Sequence, residues 1–127
     1  MQTFQPARLL NLHLNERDQY QGKPLYEAMV AKCRELKIAG ATVVRGFEGY
    51  GETAEMHRPH LLRHDLPVVV NVVDSAESIE RLPPVLEDMM DKGLITVSDV
   101  EISRKGFTRA PCLRLWWNTT ALQKLGT

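Results

Sequence analysis

The stretch that decides the arrangement of this chain is Lys37-Ile38-Ala39-Gly40-Ala41-Thr42-Val43-Val44-Arg45-Gly46-Phe47-Glu48-Gly49-Tyr50-Gly51. It leaves a predicted helix, becomes a β-branched strand over residues 41–47, and ends among glycines at positions 46, 49 and 51. Glycines after a strand let the backbone approach a ligand closely, so the stretch predicts N–H groups that face a phosphate. Ordinary loop geometry explains the same glycines, and the residues alone favour that plainer interpretation.

Upstream of this stretch the pattern predicts one strand and one helix. Residues 7–14 place Leu10, Leu12 and Leu14 on one face and Leu9, Asn11 and His13 on the other, which is the period of a half-buried strand. The polar segment 15–23 is predicted to be a loop. Pro24 suits the first turn of a helix, because the N–H that it lacks has no partner there. The helix is expected to run to about residue 37 and to be stopped by Gly40.

Downstream of the stretch, residues 46–66 carry no strand pattern. A connection of about 20 residues is far longer than the usual 4–6, and such loops are commonly functional. Residues 67–73 resume as a strand, so the two strands and the loop between them form a large hairpin.

A second helix is predicted to start at Asp74-Ser75-Ala76-Glu77, which offers a capping acceptor. Pro83-Pro84 predicts a kink in it or a break into two short helices. Residues 94–102 are either one strand with a bulge or a turn followed by a short strand.

The predicted order is therefore βαββαβ, which is an α+β, ferredoxin-like fold. With right-handed crossovers it gives a four-stranded antiparallel sheet with two helices on one face. The other face is uncovered in this plan, although the strand at 67–73 is apolar on both faces. A homo-oligomer is the natural way to bury that face.

The composition sets limits on function. The 127 residues are 43% hydrophobic, enough for one domain with its own core. Sixteen basic side chains balance sixteen acidic ones, which disfavours nucleic acid as a partner. Cys33 and Cys112 match no zinc-binding spacing and are predicted to be reduced thiols. No apolar run reaches about 18 residues, so we expect a cytoplasmic protein with neither a signal peptide nor a membrane span.

Four blocks of the sequence resemble, in order and spacing, a PII-like family of small uncharacterised bacterial and archaeal proteins. They are Gln21-Gly22-Lys23-Pro24-Leu25-Tyr26-Glu27, Ile38-Ala39-Gly40-Ala41-Thr42-Val43, Arg45-Gly46-Phe47-Glu48-Gly49-Tyr50-Gly51 and Leu66-Pro67-Val68-Val69-Val70. The resemblance covers about residues 8 to 103, and four blocks in register are more specific than any single glycine motif.

The resemblance implies a ferredoxin-like homotrimer related to the nitrogen-regulatory PII signalling proteins. In those proteins adenine nucleotides occupy the clefts between subunits, and the long T-loop, here residues 46–66, reports occupancy to a partner. The implied role is regulatory and not enzymatic, with an adenine nucleotide as ligand and no required cofactor. Family analogy points to a membrane transporter or channel as the partner.

The resemblance also implies site residues. The PII pattern at the loop base falls on Thr42, Val43, Gly49, Tyr50 and Gly51. The second loop of the PII cleft is a Gly-Asp-Gly-Lys run, whereas this chain has Thr96-Val97-Ser98-Asp99 with Gly93 upstream, so Gly93, Thr96 and Ser98 are the candidates there. The missing lysine disfavours a triphosphate and favours AMP, ADP or a cyclic nucleotide. Candidate replacement cations are Lys23, Arg45, Arg104 and Lys105.

A metal-responsive, CutA-like trimer is the alternative function. His57, His60 and His64 are spaced so that a helical loop would place them on one face, where they could bind a divalent cation. Pro59 and the lack of a nearby thiolate argue against a preformed site, and three solvated histidines are the favoured interpretation.

An enzyme is the weakest hypothesis. Glu52, Glu55 and Asp65 could act as acid–base carboxylates, but they lie in the predicted loop and not in a buried cleft. Residues 1–103 are predicted to form the PII-like domain. The tail 104–127, with Trp116 and Trp117, is too apolar to stay in water and is expected to pack on the domain or on a neighbouring subunit.

Overall fold

A computed structural model of the chain describes residues 4–50 and 66–104. In chain order the elements are β1 (Gln5–Asn15), β2 (Gln19–Tyr20), β3 (Lys23–Pro24), α1 (Leu25–Glu35), β4 (Ala41–Arg45), β5 (Pro67–Asp74), α2 (Ala76–Glu80), α3 (Leu82–Met89) and β6 (Leu94–Ile102). Four strands form an antiparallel sheet in the order β4-β5-β1-β6. The predicted βαββαβ order and the ferredoxin-like α+β fold are confirmed, with β2 and β3 as an additional small hairpin.

The core lies between the helices and one face of the sheet. Leu10 and Leu12 of β1 and Val70 and Val72 of β5 are fully buried, and they pack against Met29 of α1 and against apolar residues of α2 and α3. Burying each such side chain contributes about 1.5–3 kcal/mol, so this layer accounts for most of the driving force. No helix in the described part of the chain is long and apolar enough to cross a membrane.

The second helical segment is broken into two helices, which is one of the two predicted outcomes; the other was a kink. Ser75 caps α2, since its hydroxyl oxygen accepts a hydrogen bond of 3.2 Å from the Ser78 N–H. The break falls at Arg81, and the two prolines occupy the first turn of α3. Proline is tolerated in a first turn because the N–H that it lacks has no partner there.

The prediction of one strand over residues 94–102 is confirmed, but the bulge predicted in it, and the alternative turn, were wrong. β6 is one uninterrupted strand, paired with β1 in constant register from Leu94 opposite His13 to Ile102 opposite Gln5. Ser98 and Asp99 suggested a turn because both are polar. On an edge strand such residues can face solvent without breaking the ladder, and Asp99 Oδ1 lies 3.1 Å from Arg8 Nε.

The end of α1 also differs from the prediction. The helix ends at Glu35, and Lys37, not Gly40, carries the left-handed conformation, with φ of 64°. The Ile38 N–H bonds to the Cys33 carbonyl at 2.9 Å and the Lys37 N–H to the Arg34 carbonyl at 3.0 Å. This is a Schellman motif with a lysine at the position that glycine usually occupies. Cys33 and Ile38 are both buried in the core, and this apolar contact stabilises the motif although no glycine is present.

Replacing Lys37 by glycine should therefore stabilise the protein. A non-glycine residue in the left-handed region destabilises the folded state by about 1–2 kcal/mol relative to glycine. Glycine recovers only part of this, because it also raises the conformational entropy of the unfolded chain. We expect Lys37→Gly to raise the free energy of unfolding by roughly 0.5–1 kcal/mol in urea titrations. The matched control is Arg34→Gly, within α1, which should lower it by about 1 kcal/mol. A lower stability for both variants would contradict this explanation of the helix end.

Candidate functional site

A cleft of about 790 Å³ lies at the end of the sheet where β1 ends and β5 and β6 begin. These ends meet because β1 is antiparallel to both neighbours, which places Asn15 opposite Pro67 and His13 opposite Leu94. The lining residues come from the end of β1 with Asp18, from the base of the long loop, from the start of β5, and from the turn between α3 and β6. They are His13, Leu14, Asn15, Asp18, Gly46, Glu48, Gly49, Tyr50, Pro67, Val69, Lys92, Gly93 and Leu94.

The base of the long loop forms one wall of the cleft and packs directly on Pro67. The Gly46 N–H donates to the Pro67 carbonyl at 2.7 Å, and a Cβ on Gly46 would lie 2.7 Å from the Pro67 ring. A Cβ on Gly49 would lie 3.3 Å from the same ring. The proline ring therefore requires a glycine at position 46 and leaves little room for a side chain at position 49. A positive φ is not the reason, since neither glycine has one.

The turn between α3 and β6 forms the opposite wall. Gly93 has a φ of 140°, which side chains rarely adopt, and a Cβ there would lie 3.2 Å from the His13 carbonyl oxygen. This glycine allows the turn to pass close to the end of β1. Lys92, the residue before it, also lines the cleft.

Three of the sequence-predicted site residues line the cleft together: Gly49, Tyr50 and Gly93. Thr42, Val43 and Arg45 lie on β4, at one edge of the sheet, and Thr96 and Ser98 lie on β6, at the other edge. Lys23 is exposed on β3, and Arg104 follows β6. Gly51 and Lys105 lie outside the described residues.

The two halves of the predicted site are separated within one chain. Thr42, Asn71, Asn11 and Thr96 lie in one row across the sheet, and the Asn71 side-chain amide donates to Asn11 Oδ1 at 2.9 Å. Three strand spacings of about 4.8 Å put Thr42 roughly 14 Å from Thr96. A single chain therefore does not unite the β4 and β6 candidates around one small ligand.

Neither Lys92 nor Asp18 was among the site residues predicted from the sequence. Gly93 was predicted to belong to the site, and the lysine that precedes it forms with it a turn pattern that can bind anions. Asp18 was part of a segment predicted to be plain loop. Its N–H donates to the Asn15 carbonyl and its carboxylate accepts from the Asn15 N–H at 2.9 Å, which places it at the cleft.

Among residues 4–50 and 66–104, two groups have shifted pKa values, and neither provides a nucleophile. Burial raises the pKa of the Cys33 thiol to about 11, so this cysteine stays protonated and unreactive at neutral pH. Burial lowers the pKa of the Arg104 guanidinium from its ordinary value, although arginine remains a cation at neutral pH.

The predicted metal ligands cannot be placed. Residues 4–50 and 66–104 contain no group of three or more His, Cys, Asp or Glu that could hold a metal ion. His57, His60 and His64 lie outside those ranges, as do Glu52, Glu55 and Asp65.

Comparison with proteins of known structure reveals the same fold at low sequence identity. A nitrogen regulatory PII-like protein, CPII from Thiomonas intermedia K12, solved with ADP, AMP and bicarbonate, superposes with a TM-score of 0.60 and 19% identity over 80% of this chain and 92% of that one. The divalent ion tolerance protein CutA1 from Ehrlichia chaffeensis superposes with a TM-score of 0.57 and 13% identity over 91% and 94% of the two chains. These likenesses establish a PII-like and CutA-like ferredoxin fold.

Comparison of sequences identifies the family. The model of the DUF190 family, described as "Uncharacterized ACR, COG1993", matches residues 7–102. A UPF0166 protein from Aquifex aeolicus is 40% identical over 99 residues, which cover 75% of this chain and 91% of that protein. The matched region is the ferredoxin-like unit that carries the cleft. This chain belongs to the DUF190 family.

Proposed function

We propose that the protein is a non-enzymatic, PII-like regulator that binds an adenine nucleotide. The observation that carries the proposal is the cleft between the loop base and the Lys92-Gly93 turn, whose volume of about 790 Å³ suits a small molecule. A lysine ammonium and backbone N–H groups at a turn are common partners of phosphate oxygens. Thiomonas CPII, which shares the fold, was solved with ADP and AMP bound.

The charges at the cleft favour a nucleotide with few phosphates. Lys92 is the only lysine or arginine among the described residues that line it, whereas Asp18 and Glu48 bring two carboxylates. A triphosphate would meet more negative than positive charge, and each unscreened repulsion lowers its affinity. AMP, ADP or a cyclic nucleotide is therefore the proposed ligand class.

A homotrimer is part of the proposal, because two exposed sheet edges carry the two halves of the predicted site. Thr42 lies on the β4 edge and Thr96 on the β6 edge of the same sheet. A ring in which the β4 edge of one subunit approaches the β6 edge of the next would unite them, since head-to-tail contacts that close produce cyclic oligomers.

The sheet face opposite the helices supports self-association. In the four strands of the sheet, no Asp, Glu, Lys or Arg faces away from the helices. The residues that do are Gln5, Ala7, Leu9, Asn11, His13, Asn15, Thr42, Val44, Pro67, Val69, Asn71, Val73, Leu94, Thr96, Ser98, Val100 and Ile102. Charged residues make up 25% of the whole chain. A solvated antiparallel face is normally polar, so this uncharged face suits contact with other subunits.

The loop 46–66 is proposed to report the ligand to a partner. Its base is a wall of the cleft, so a ligand that contacts Gly49 and Tyr50 favours one loop conformation over others. Phe47, beside that wall, is 75% exposed, and a large exposed aromatic side chain suits a protein contact. A membrane transporter or channel remains the proposed partner on family analogy alone.

Calorimetric titration with AMP, ADP, ATP and cyclic AMP tests the ligand, and sedimentation of the same samples tests the assembly. We expect micromolar binding of AMP or ADP, weaker binding of ATP, no product after prolonged incubation, and a particle of three chains. Absence of binding with all four nucleotides would overturn the proposed function.

A further inference from the structure

Glu16, the first residue after β1, connects the two ends of the long loop. Its carboxylate Oε2 lies 2.7 Å from Nη2 of Arg45, the last residue before the loop. Its N–H donates to the Leu66 carbonyl at 2.8 Å, and the Leu66 N–H donates to its Oε1 at 3.4 Å. Glu16 therefore bonds to both chain segments that flank residues 46–65.

The Glu16 carboxylate is placed so that these contacts are strong. Its side chain is only 9% exposed, whereas that of Arg45 is 59% exposed. A carboxylate shielded from water interacts more strongly with a cation than a solvated one does. Losing the cation would leave the buried Glu16 charge with only the 3.4 Å hydrogen bond from the Leu66 N–H. The contact is thus unlike a surface ion pair such as Lys32–Glu35, in which the Glu35 side chain is 68% exposed.

The residues held in this way lead directly into the cleft. Gly46 follows Arg45, lines the cleft, and is bonded to Pro67, the residue after Leu66. Arg45 itself is absent from the cleft lining. A change in the Glu16–Arg45 contact would shift the point at which the loop leaves the sheet, and with it the wall made by Gly46, Gly49 and Tyr50.

We propose that Glu16 and Arg45 act together as positioning residues that hold the loop-base wall of the cleft in its ligand-binding conformation. In this arrangement Arg45 is engaged by Glu16 and does not contact the phosphate. The inference rests on the proposed nucleotide-binding function, and it names two residues on which the geometry of that site depends.

Glu16→Gln distinguishes positioning from direct phosphate contact, because the two roles predict opposite signs. If Glu16 positions the wall, its amide variant loses the pairing with Arg45, and the affinities for AMP and ADP fall by the same factor, about five- to tenfold. If Arg45 binds phosphate, Glu16→Gln frees the guanidinium and ADP binds more tightly.

Arg45→Gln provides the second arm of the experiment. Positioning predicts an equal loss for AMP and ADP, and no further loss in the Glu16→Gln/Arg45→Gln double variant, since both changes break one contact. A loss confined to ADP, additive losses, or unchanged affinities in both single variants would overturn the proposal. Glu35→Gln is the matched control, because it makes the same chemical change in a solvated ion pair and should leave binding unaltered.

Amide hydrogen exchange without nucleotide separates this inference from the proposed function. Glu16→Gln should speed exchange at Gly46 and Leu66 several-fold, while amides in the β1–β5 ladder, such as Val70, keep their rates. Unchanged exchange at Gly46 and Leu66 would overturn the positioning role even if the wild-type protein binds nucleotide. If the wild-type protein binds no nucleotide, the proposed function fails. Faster exchange at Gly46 and Leu66 in Glu16→Gln would still establish that Glu16 holds the two ends of the loop.

Discussion

Asp74→Ala is expected to lower the free energy of unfolding by about 3 kcal/mol and the melting temperature by roughly 10–20 °C. Asp74, the last residue of β5, is 1% exposed. Its Oδ2 accepts from the Ala39 N–H at 3.0 Å and its Oδ1 from the Ser75 N–H at 2.7 Å. The alanine variant leaves these two donors without their acceptor, and buried unsatisfied donors cost more than the net gain of a made bond.

Asp74 has this large effect because it joins three elements. Ala39 belongs to the connection between α1 and β4, and Ser75 is the cap of α2, so one carboxylate ties the end of β5 to that connection and to the start of α2. Chemical unfolding measures the loss. Asp99→Ala is the matched control, since the Asp99 side chain is 87% exposed and its pairing with Arg8 should contribute less than about 1 kcal/mol. Similar losses for the two variants would refute the role assigned to the Asp74 bonds.

Lys92→Ala is expected to weaken ADP binding about ten- to a hundredfold. The ammonium group is the only lysine or arginine charge among the described cleft-lining residues, and a hydrogen bond to a charged partner is worth about 1.5–3 kcal/mol. AMP, with less phosphate charge, should lose less than ADP. Because Lys92 is exposed in a turn, the stability of the fold should change by less than about 0.5 kcal/mol.

Lys37→Gly serves as the control for charge. It removes the same positive charge near the start of β4, whereas the cleft lies at the other end of the sheet, so ADP affinity should stay within about twofold of the wild type. Lys92→Arg should retain part of the binding, because it keeps the charge but changes the geometry. An unchanged dissociation constant for ADP in Lys92→Ala would show that the phosphate lies elsewhere.

The sequence predicted the elements with strong periodicity. Alternation in β1 identified the face that became the core, and the paired prolines of α3 predicted the helix break. These predictions succeeded because side-chain burial repeats every two residues in a strand, and because proline lacks an N–H wherever it occurs. Both properties are local to the chain.

Predictions failed where a local signal met a tertiary contact. Lys37 ends α1 in place of Gly40 because Cys33 and Ile38 are both in the core and close the Schellman motif. Ser98 and Asp99 continue β6 because they lie on an edge strand whose ladder to β1 satisfies the backbone. The close packing of Gly46 and Gly49 on Pro67 was not predicted, because Pro67 is about 20 residues further along the chain and periodicity carries no information over that separation.

The sequence by itself determined the order of the elements, the buried face of the sheet and, through the resemblance, the loop base as the place to seek a ligand. Only the tertiary structure decided which side chains share the cleft, because antiparallel pairing brings the end of β1 beside the starts of β5 and β6. It placed Lys92 and Gly49 in the lining of one cleft and paired Arg45 with Glu16. Contacts between residues distant in sequence depend on strand register and on the packing of loops, which no local pattern encodes.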